Sequence, residues 1–355
     1  MADAVTPDAE AITPDVEAIN VTALRNWMVT LGVPVGDRLA SRPIGNGRSN
    51  LTFELSDDFG RKWVARRPPL GVLLESAHDV AREYRILSAL QGTKVPVPSL
   101  IGLAVDESIA ETPVLVMEHV DGEVFDRRPI ATALEPRIRR ELGEGLVDTL
   151  VHIHEVDLGS VGLDSLASKE PYAARQLRRW SAQLERSRSR SLPELDRLTE
   201  LLSQRAPSRQ ATTLVHGDFN LSNVMADRSS GKVVSVLDWE LCTLGDPLAD
   251  MGSLLAYWRH DNEYATGAFA ASALPGFPLR DELAARYARS TGCNPGELKF
   301  WHVFGLWKLA VIGEGVLSRD PERSRNSSTH RAGVEQIDDL VRRAWVVANH
   351  TGLGN

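Results

Sequence analysis

The chain has 355 residues, 43% of them hydrophobic and 25% charged; this is ordinary globular composition and excludes a fibre or a wholly disordered chain. Forty Lys and Arg against 48 Asp and Glu leave a net charge of −8, so there is no overall basic footprint for nucleic acid, and none is expected as a partner. No uninterrupted apolar run approaches the ~20 residues that span a bilayer, so no membrane segment is expected, and the length exceeds the ~100–200 residues of one domain, so two lobes are.

Residues 1–20 carry Asp3, Asp8, Glu10, Asp15 and Glu17 and no Lys or Arg. A secretory signal needs a basic start and an apolar core, and a transit peptide needs arginines. The segment therefore reads as a disordered acidic leader on a cytoplasmic protein. Two cysteines, Cys242 and Cys293, are too few for a disulfide framework or a cysteine-rich zinc site, and read as free thiols in a reducing compartment.

Residues 21–33 place Val21, Leu24, Trp27, Met28 and Leu31 at helical spacing. Residues 51–55 and 62–66 are alternating runs joined by Ser56-Asp57-Asp58-Phe59-Gly60, the pattern of a hairpin. A helix is expected over 76–91, with Ser76 as its cap and Gly92 as its stop. Val95-Pro96-Val97-Pro98 must be extended, because proline disfavours helix in the residue before it. Strands are expected at 101–105 and 114–119. After Asp121-Gly122 the pattern turns helical, with long candidates at 134–155 and 171–205, a β-rich island at 211–239, and further helix from Pro247 onward, broken at Pro275, Pro278 and Pro295. A small β-rich lobe followed by a larger helical one is an α+β arrangement, because strands and helices do not alternate throughout.

The chemistry concentrates in LVHGDFNLSNVMADRSSGKVVSVLDWE, residues 214–240. Asp218 and Asn223 are five apart, the spacing of the protein-kinase catalytic loop. A hairpin turning at Asp227–Gly231 then returns Asp238 beside Asn223. Oxygen ligands delivered to one point in this way suit Mg²⁺, which takes one or two carboxylates together with substrate phosphates. Asp218, left free of metal, can orient an attacking hydroxyl and accept its proton. His152 and His154 have no third ligand at a suitable spacing and read as structural, as do Asp246, which can cap a helix opening at Pro247, and Asp250, which can brace the loop.

His-Gly-Asp, Asn five residues after the Asp, and Asp-Trp at the end of an apolar strand together resemble the aminoglycoside phosphotransferase and choline kinase group of small-molecule kinases, relatives of protein kinases. The resemblance covers nearly the whole chain after residue 21. It implies a bilobal protein kinase-like fold: a nucleotide-binding lobe over 21–120, with a small β-rich sheet and one main helix, and a catalytic and acceptor-binding lobe over 121–355, with ATP between them. It implies that Gly45, Asn46, Gly47 and Ser49 form a phosphate loop, that Arg66 (or else Arg67) stands where a phosphate-binding lysine is usual, that Glu83 orients it, that backbone groups of Glu118 and Val120 meet the adenine edge, that Asn223 and Asp238 hold Mg²⁺, and that Asp218 is the catalytic base. Gly217, where protein kinases carry arginine, and the absence of Asp-Phe-Gly argue against a phospho-switched protein kinase.

The expected activity is transfer of the γ-phosphate of ATP to a hydroxyl of a small molecule. Asp261, Glu263 and carboxylates near the C-terminus could line a site for a polycationic aminoglycoside. Six arginines and one glutamate over 175–190 point instead to an anionic acceptor. The strings Arg82–Leu87, Met117–Gly122 and Gly245–Gly252 look closest to kinase-like domains fused to acyl-CoA dehydrogenases, which implies a hydroxyacyl-CoA acceptor as the alternative. The arginine at position 66 leaves open a non-catalytic nucleotide-binding protein.

Overall fold

The computed structural model describes residues 19–44, 50–69, 79–168, 170–208, 211–259, 263, 267–318, 328–350 and 352–354. It divides into two compact units, residues 1–88 with 98–119, and residues 89–97 with 120–355.

The first unit opens with helix α1, Val21–Thr30, capped by the Asn20 side chain, which accepts from the Ala23 amide. Ile19 is buried beside it. These two residues were expected to end the acidic leader but belong to the folded unit instead; the rest of the leader, 1–18, lies outside the described residues. Strands β1 (Leu39–Pro43), β2 (Leu51–Asp57) and β3 (Lys62–Arg67) follow, then helix α2 (Val80–Leu90), β4 (Leu100–Ala104) and β5 (Val114–Glu118). The sheet order is β1-β2-β3-β5-β4, antiparallel throughout. One face packs Phe53, Leu55, Trp63, Ala65, Val114 and Val116 against Leu24 and Met28 of α1. Apolar residues at every second position supply that face, which is why the 51–66 hairpin is readable from sequence. The Ser76 cap falls outside the described residues; α2 begins later, and Asp79 caps it, accepting from the Arg82 amide at 2.9 Å.

The second unit begins with the short α3 (Arg128–Ala131) and the long α4 (Pro136–His154). The single helix expected over 171–205 is two, α5 (Tyr172–Ser187) and α6 (Pro193–Gln204). Pro193 has no N–H to extend a helix running into it, but it suits the first turn of a new one. Then come β6 (Thr213–Val215), β7 (Val224–Ala226), β8 (Val233–Val236), β9 (Thr243–Gly245), α7 (Pro247–Tyr257), α8 (Arg280–Thr291), α9 (Leu298–Ser318) and α10 (Ser328–His350). β6 pairs with β9, and β7 with β8.

Helix α9 is the core of this unit. It packs most extensively on α7 and α10. It is long and apolar enough to cross a bilayer, but 72% of that stretch is buried inside the protein. Trp301, Phe304 and Trp307 form a ladder along it, with Trp301 and Phe304 edge to face at 5.4 Å. The α7–α9 crossing is close because two glycines meet there. A Cβ on Gly252 would lie 2.4 Å from the Trp301 carbonyl carbon, and one on Gly305 would lie 2.8 Å from the Gly252 oxygen. That close approach brings side chains of both helices to the loop after β6.

Candidate active site

The loop 216–223 leaves β6 and is held from beneath by α7. Both oxygens of the Asp250 carboxylate accept backbone amides, His216 N–H at 2.6 Å and Gly217 N–H at 2.8 Å. Burial would push this carboxyl up; the His154 hydrogen bond, the neighbouring imidazoles and the Gly217 amide outweigh it and hold the pKa below the usual carboxylate range. His154 Nε2 lies 3.5 Å from Asp250, and its Nδ1 is 2.8 Å from the Tyr287 hydroxyl. His154 is thus structural, as is Asp246, whose side chain caps α7 by accepting the Leu248 amide at 2.9 Å. His216 is fully buried, with Nε2 donating to the Leu237 carbonyl at 2.8 Å and Nδ1 accepting from the Asp218 amide.

Gly217 has φ +86°, and a Cβ there would sit 2.7 Å from the Leu241 carbonyl oxygen. The position opposite the protein-kinase arginine is therefore reserved for glycine by backbone geometry. It lets the chain turn Asp218 outward. Asn223 Nδ2 donates to the Asp218 carbonyl at 2.8 Å and to its Oδ2 at 3.1 Å; the Tyr257 hydroxyl donates to Oδ1 at 3.0 Å. Lys308 Nζ, from α9, donates to the Gly217 carbonyl at 2.6 Å. Burial lowers the Lys308 pKa, opposed by the negative charges of Asp218 and Asp250.

The β7–β8 hairpin delivers the metal-ligand candidates. Val224 pairs with Val236, and Leu237 N–H donates to the Asn223 carbonyl at 2.8 Å. Asn223 and Asp238 therefore stand together at the open end of the hairpin. Asp238 has φ 62°, the one positive φ of a non-glycine residue among those described. Such a conformation costs free energy and marks a side chain whose direction the fold imposes. Because the Asn223 nitrogen is engaged by Asp218, its oxygen is left over, and it accepts no hydrogen bond from a described residue. Among the described residues there is no group of three or more His, Cys, Asp or Glu that could hold a metal. An amide oxygen and a carboxylate without a protein cage fit Mg²⁺ that completes its octahedron with phosphate and water.

In the first unit, Arg66 Nη1 and Glu83 Oε1 are 2.5 Å apart, with the Glu83 side chain 2% exposed. Strand alternation puts Arg67 on the other face, 1% exposed, its guanidinium donating to the Pro68 carbonyl. Of the two candidates, Arg66 is the one joined to Glu83. The expected loop Gly45, Asn46, Gly47 and Ser49 lies outside the described residues. Asn50, directly after it, is buried, and neither its amide nitrogen nor its oxygen bonds a described residue. Such an orphaned amide fits a ligand-facing position. Glu118 ends β5 with its N–H donated to the Ser99 carbonyl, and Val120 lies two residues on, outside any strand.

A cavity of about 720 Å³ lies elsewhere in the second unit, lined by His154, Asp246, Tyr287 and Trp301. It touches none of Asp218, Asn223 and Asp238, so size does not mark the chemistry here.

The comparisons with known proteins decide the family. Residues 41–299 match the model of the phosphotransferase enzyme family. The chain belongs to that family. The chain is 35% identical over 314 residues to acyl-CoA dehydrogenase family member 10 of Mus musculus, covering 87% of the chain and 29% of that protein. It thus spans less than a third of that relative's length. Its fold is similar to that of a Ralstonia eutropha protein provisionally assigned as an aminoglycoside phosphotransferase, with TM-score 0.76, 27% identity, and coverage of 94% and 99% of the two chains. It is also similar in fold to choline kinase of Cryptosporidium parvum, with TM-score 0.61, 12% identity, and coverage of 92% and 97%. The kinase-like α+β fold is therefore as the sequence led us to expect.

The sequence did not point to Tyr257 and Lys308, which belong to no local motif. They reach the loop across 39 and 91 positions. A lone lysine inside the apolar run 303–311 was the one available signal for these two.

Proposed function

We propose that this chain is a kinase that uses ATP and Mg²⁺ to phosphorylate a hydroxyl of a small molecule in the cytoplasm. The observation that carries the reading is the Asp218 carboxylate, held on one oxygen by Tyr257 and on the other by Asn223, beside a second oxygen pair on the hairpin end. Asp218 orients the acceptor hydroxyl and takes its proton. Asn223 and Asp238 hold the metal, and Arg66, braced by Glu83, binds phosphate as a forked cation where lysine would act as a point charge. Bound Mg-ATP would supply the transferable phosphoryl group and neutralise the charge on its oxygens. Positioning and charge neutralisation then account for most of the rate.

Asp218→Asn is expected to lower turnover ~10²-fold or more, the contribution of a placed general base, while leaving Mg-ATP affinity close to wild type. Equal loss of both would remove Asp218 from that role.

A second reading concerns the acceptor, and an uneven charge balance favours it. Most of the described carboxylates expected to greet a polycation are engaged, Glu335 being an exposed exception. Glu263 pairs with Arg280 and with Arg343, Asp339 with Arg342, and Asp338 with Arg190; Asp261 lies outside the described residues. Among the arginines of 175–190, Arg178 pairs with Glu170, Arg188 with Asp196 and Arg190 with Glu314, and Arg175 donates to the Leu244 carbonyl. Arg179 and Lys308 have no carboxylate within ion-pair distance among the described residues, and both stack on Trp180, at 5.4 and 5.2 Å from its ring. Lys308 is also the residue that reaches Gly217. Arg186 likewise has no carboxylate within ion-pair distance among the described residues, but it is Lys308, at the Gly217 carbonyl, and Arg179, on the same indole ring, that suit an acceptor bearing a carboxylate or phosphate, such as a hydroxy acid or hydroxyacyl-CoA. ADP release measured with kanamycin, choline, a hydroxy acid and a hydroxyacyl-CoA separates the two readings. Turnover with an anionic compound, with KM raised by Arg179→Ser and KM for ATP unmoved, supports the second; turnover with kanamycin alone overturns it.

A further inference from the structure

We infer that Tyr257, the last residue of α7, is a positioning residue for the Asp218 base; the inference rests on the kinase reading above. Its hydroxyl donates to Asp218 Oδ1 at 3.0 Å, while Asn223 Nδ2 occupies Oδ2 at 3.1 Å. One donor on each oxygen fixes the rotation of the carboxylate and still leaves a lone pair on each oxygen for the acceptor proton. A carboxylate held on one side only can rotate about its terminal bond, which is broad and two-fold. Tyr257 is a dependable donor because burial, together with the charge and hydrogen bond of Asp218, keeps its pKa well above the ordinary phenol value.

The backbone around the base is fixed as firmly as its side chain. The Asp218 carbonyl accepts from both the Asn220 and the Asn223 amide nitrogens, at 3.0 and 2.8 Å. The preceding peptide is gripped by Asp250 on its N–H and by Lys308 on its carbonyl. Asp250 and Tyr257 both come from α7 and Lys308 from α9, so the Gly252–Gly305 crossing sets three of these contacts at once. With the peptide immobile, the carboxylate rotation is the remaining freedom, and Tyr257 is the group outside the loop that removes it. No neighbour in the sequence signals this, because the contact joins positions 39 apart.

The test is Tyr257→Phe, which keeps the ring and removes one oxygen, read in the wild-type and the Asp218→Asn background with Mg-ATP and the most active compound of the acceptor panel (or water). Melting temperature is followed in parallel. The expected result is a ~10-fold fall in kcat with KM for ATP unmoved, a part of the ~10²-fold that a ~1 Å misplacement of reacting groups can cost, since Asn223 still holds the other oxygen. In the Asp218→Asn background the same change is expected to alter kcat by less than about a factor of two, because effects routed through one residue do not add. An unchanged kcat, or an equal fall in both backgrounds, overturns the positioning role and leaves the kinase reading intact. A wild-type chain that consumes no Mg-ATP overturns both.

Discussion

Asp238 and Gly217 show how single backbone conformations carry the site. Asp238 keeps a left-handed φ that glycine would adopt at no steric cost, and it lies beside Asn223 at the hairpin end. Gly217 cannot be anything else without moving Leu241. Gly217→Ala is therefore expected to destabilise the protein by about 1–3 kcal/mol, from the positive φ and the contact with the Leu241 carbonyl, and denaturant unfolding measures it. A stability equal to wild type would mean the loop shifts easily. Asp218, Asn223 and Asp238 were legible in the sequence because one loop and one hairpin hold all three within 21 consecutive residues. Arg66 and Glu83 needed the resemblance to be paired. Tyr257, Lys308 and Asp250 reach the loop by tertiary packing; Asp250 had a local hint in the Asp-Pro helix start nearby and Lys308 in the apolar run around it, and Tyr257 had none.

At the scale of elements, the hairpins were readable because their turns are local. Asp227 gathers Ser229 and Ser230 onto its carboxylate, which lowers its pKa to about 2. The short strands β1 and β9 were not readable, since three to five residues gain strand character only from a partner elsewhere in the chain. The break between α5 and α6 carried its own signal in Pro193. Helix α7 carries a pH-dependent element at its start. Burial pushes its cap Asp246 up to about 6, with Glu297 adding to the effect and the Leu248 amide opposing it. In the unfolded chain the group titrates near 4, so the folded state binds the extra proton between about pH 4 and 6. Its contribution is thus a loss of stability that grows as pH rises through that window and is complete above it. Asp246→Asn retains a good helix cap and removes the buried charge. It is expected to raise stability by roughly 3 kcal/mol at pH 7.5, at ~1.4 kcal/mol per pKa unit over about two units, and to change nothing below pH 4. A variant less stable than wild type at pH 7.5 would contradict the burial argument.

On the scale of the whole molecule, the division into a sheet unit and a helical unit follows from where alternation gives way to helical spacing, near residue 120. Overall acidity did not reveal the acceptor. The net charge of −8 averages over many satisfied surface pairs, whereas Arg179 and Lys308 form a local excess of the opposite sign. The chain spans about a third of the length of the relatives that match it, so the acceptor of this unit is to be sought by direct assay.

The central claim is that Asn223 and Asp238 bring a divalent cation to a nucleotide phosphate tail. Calorimetric titration of ATP into the wild-type chain and into Asp238→Ala, each with and without MgCl₂, addresses it most directly. Magnesium is expected to tighten ATP uptake by the wild type, and Asp238→Ala to abolish that tightening while leaving magnesium-free ATP binding in place. ATP uptake by the wild type that ignores magnesium, or an Asp238→Ala chain with the full magnesium dependence, would contradict the account.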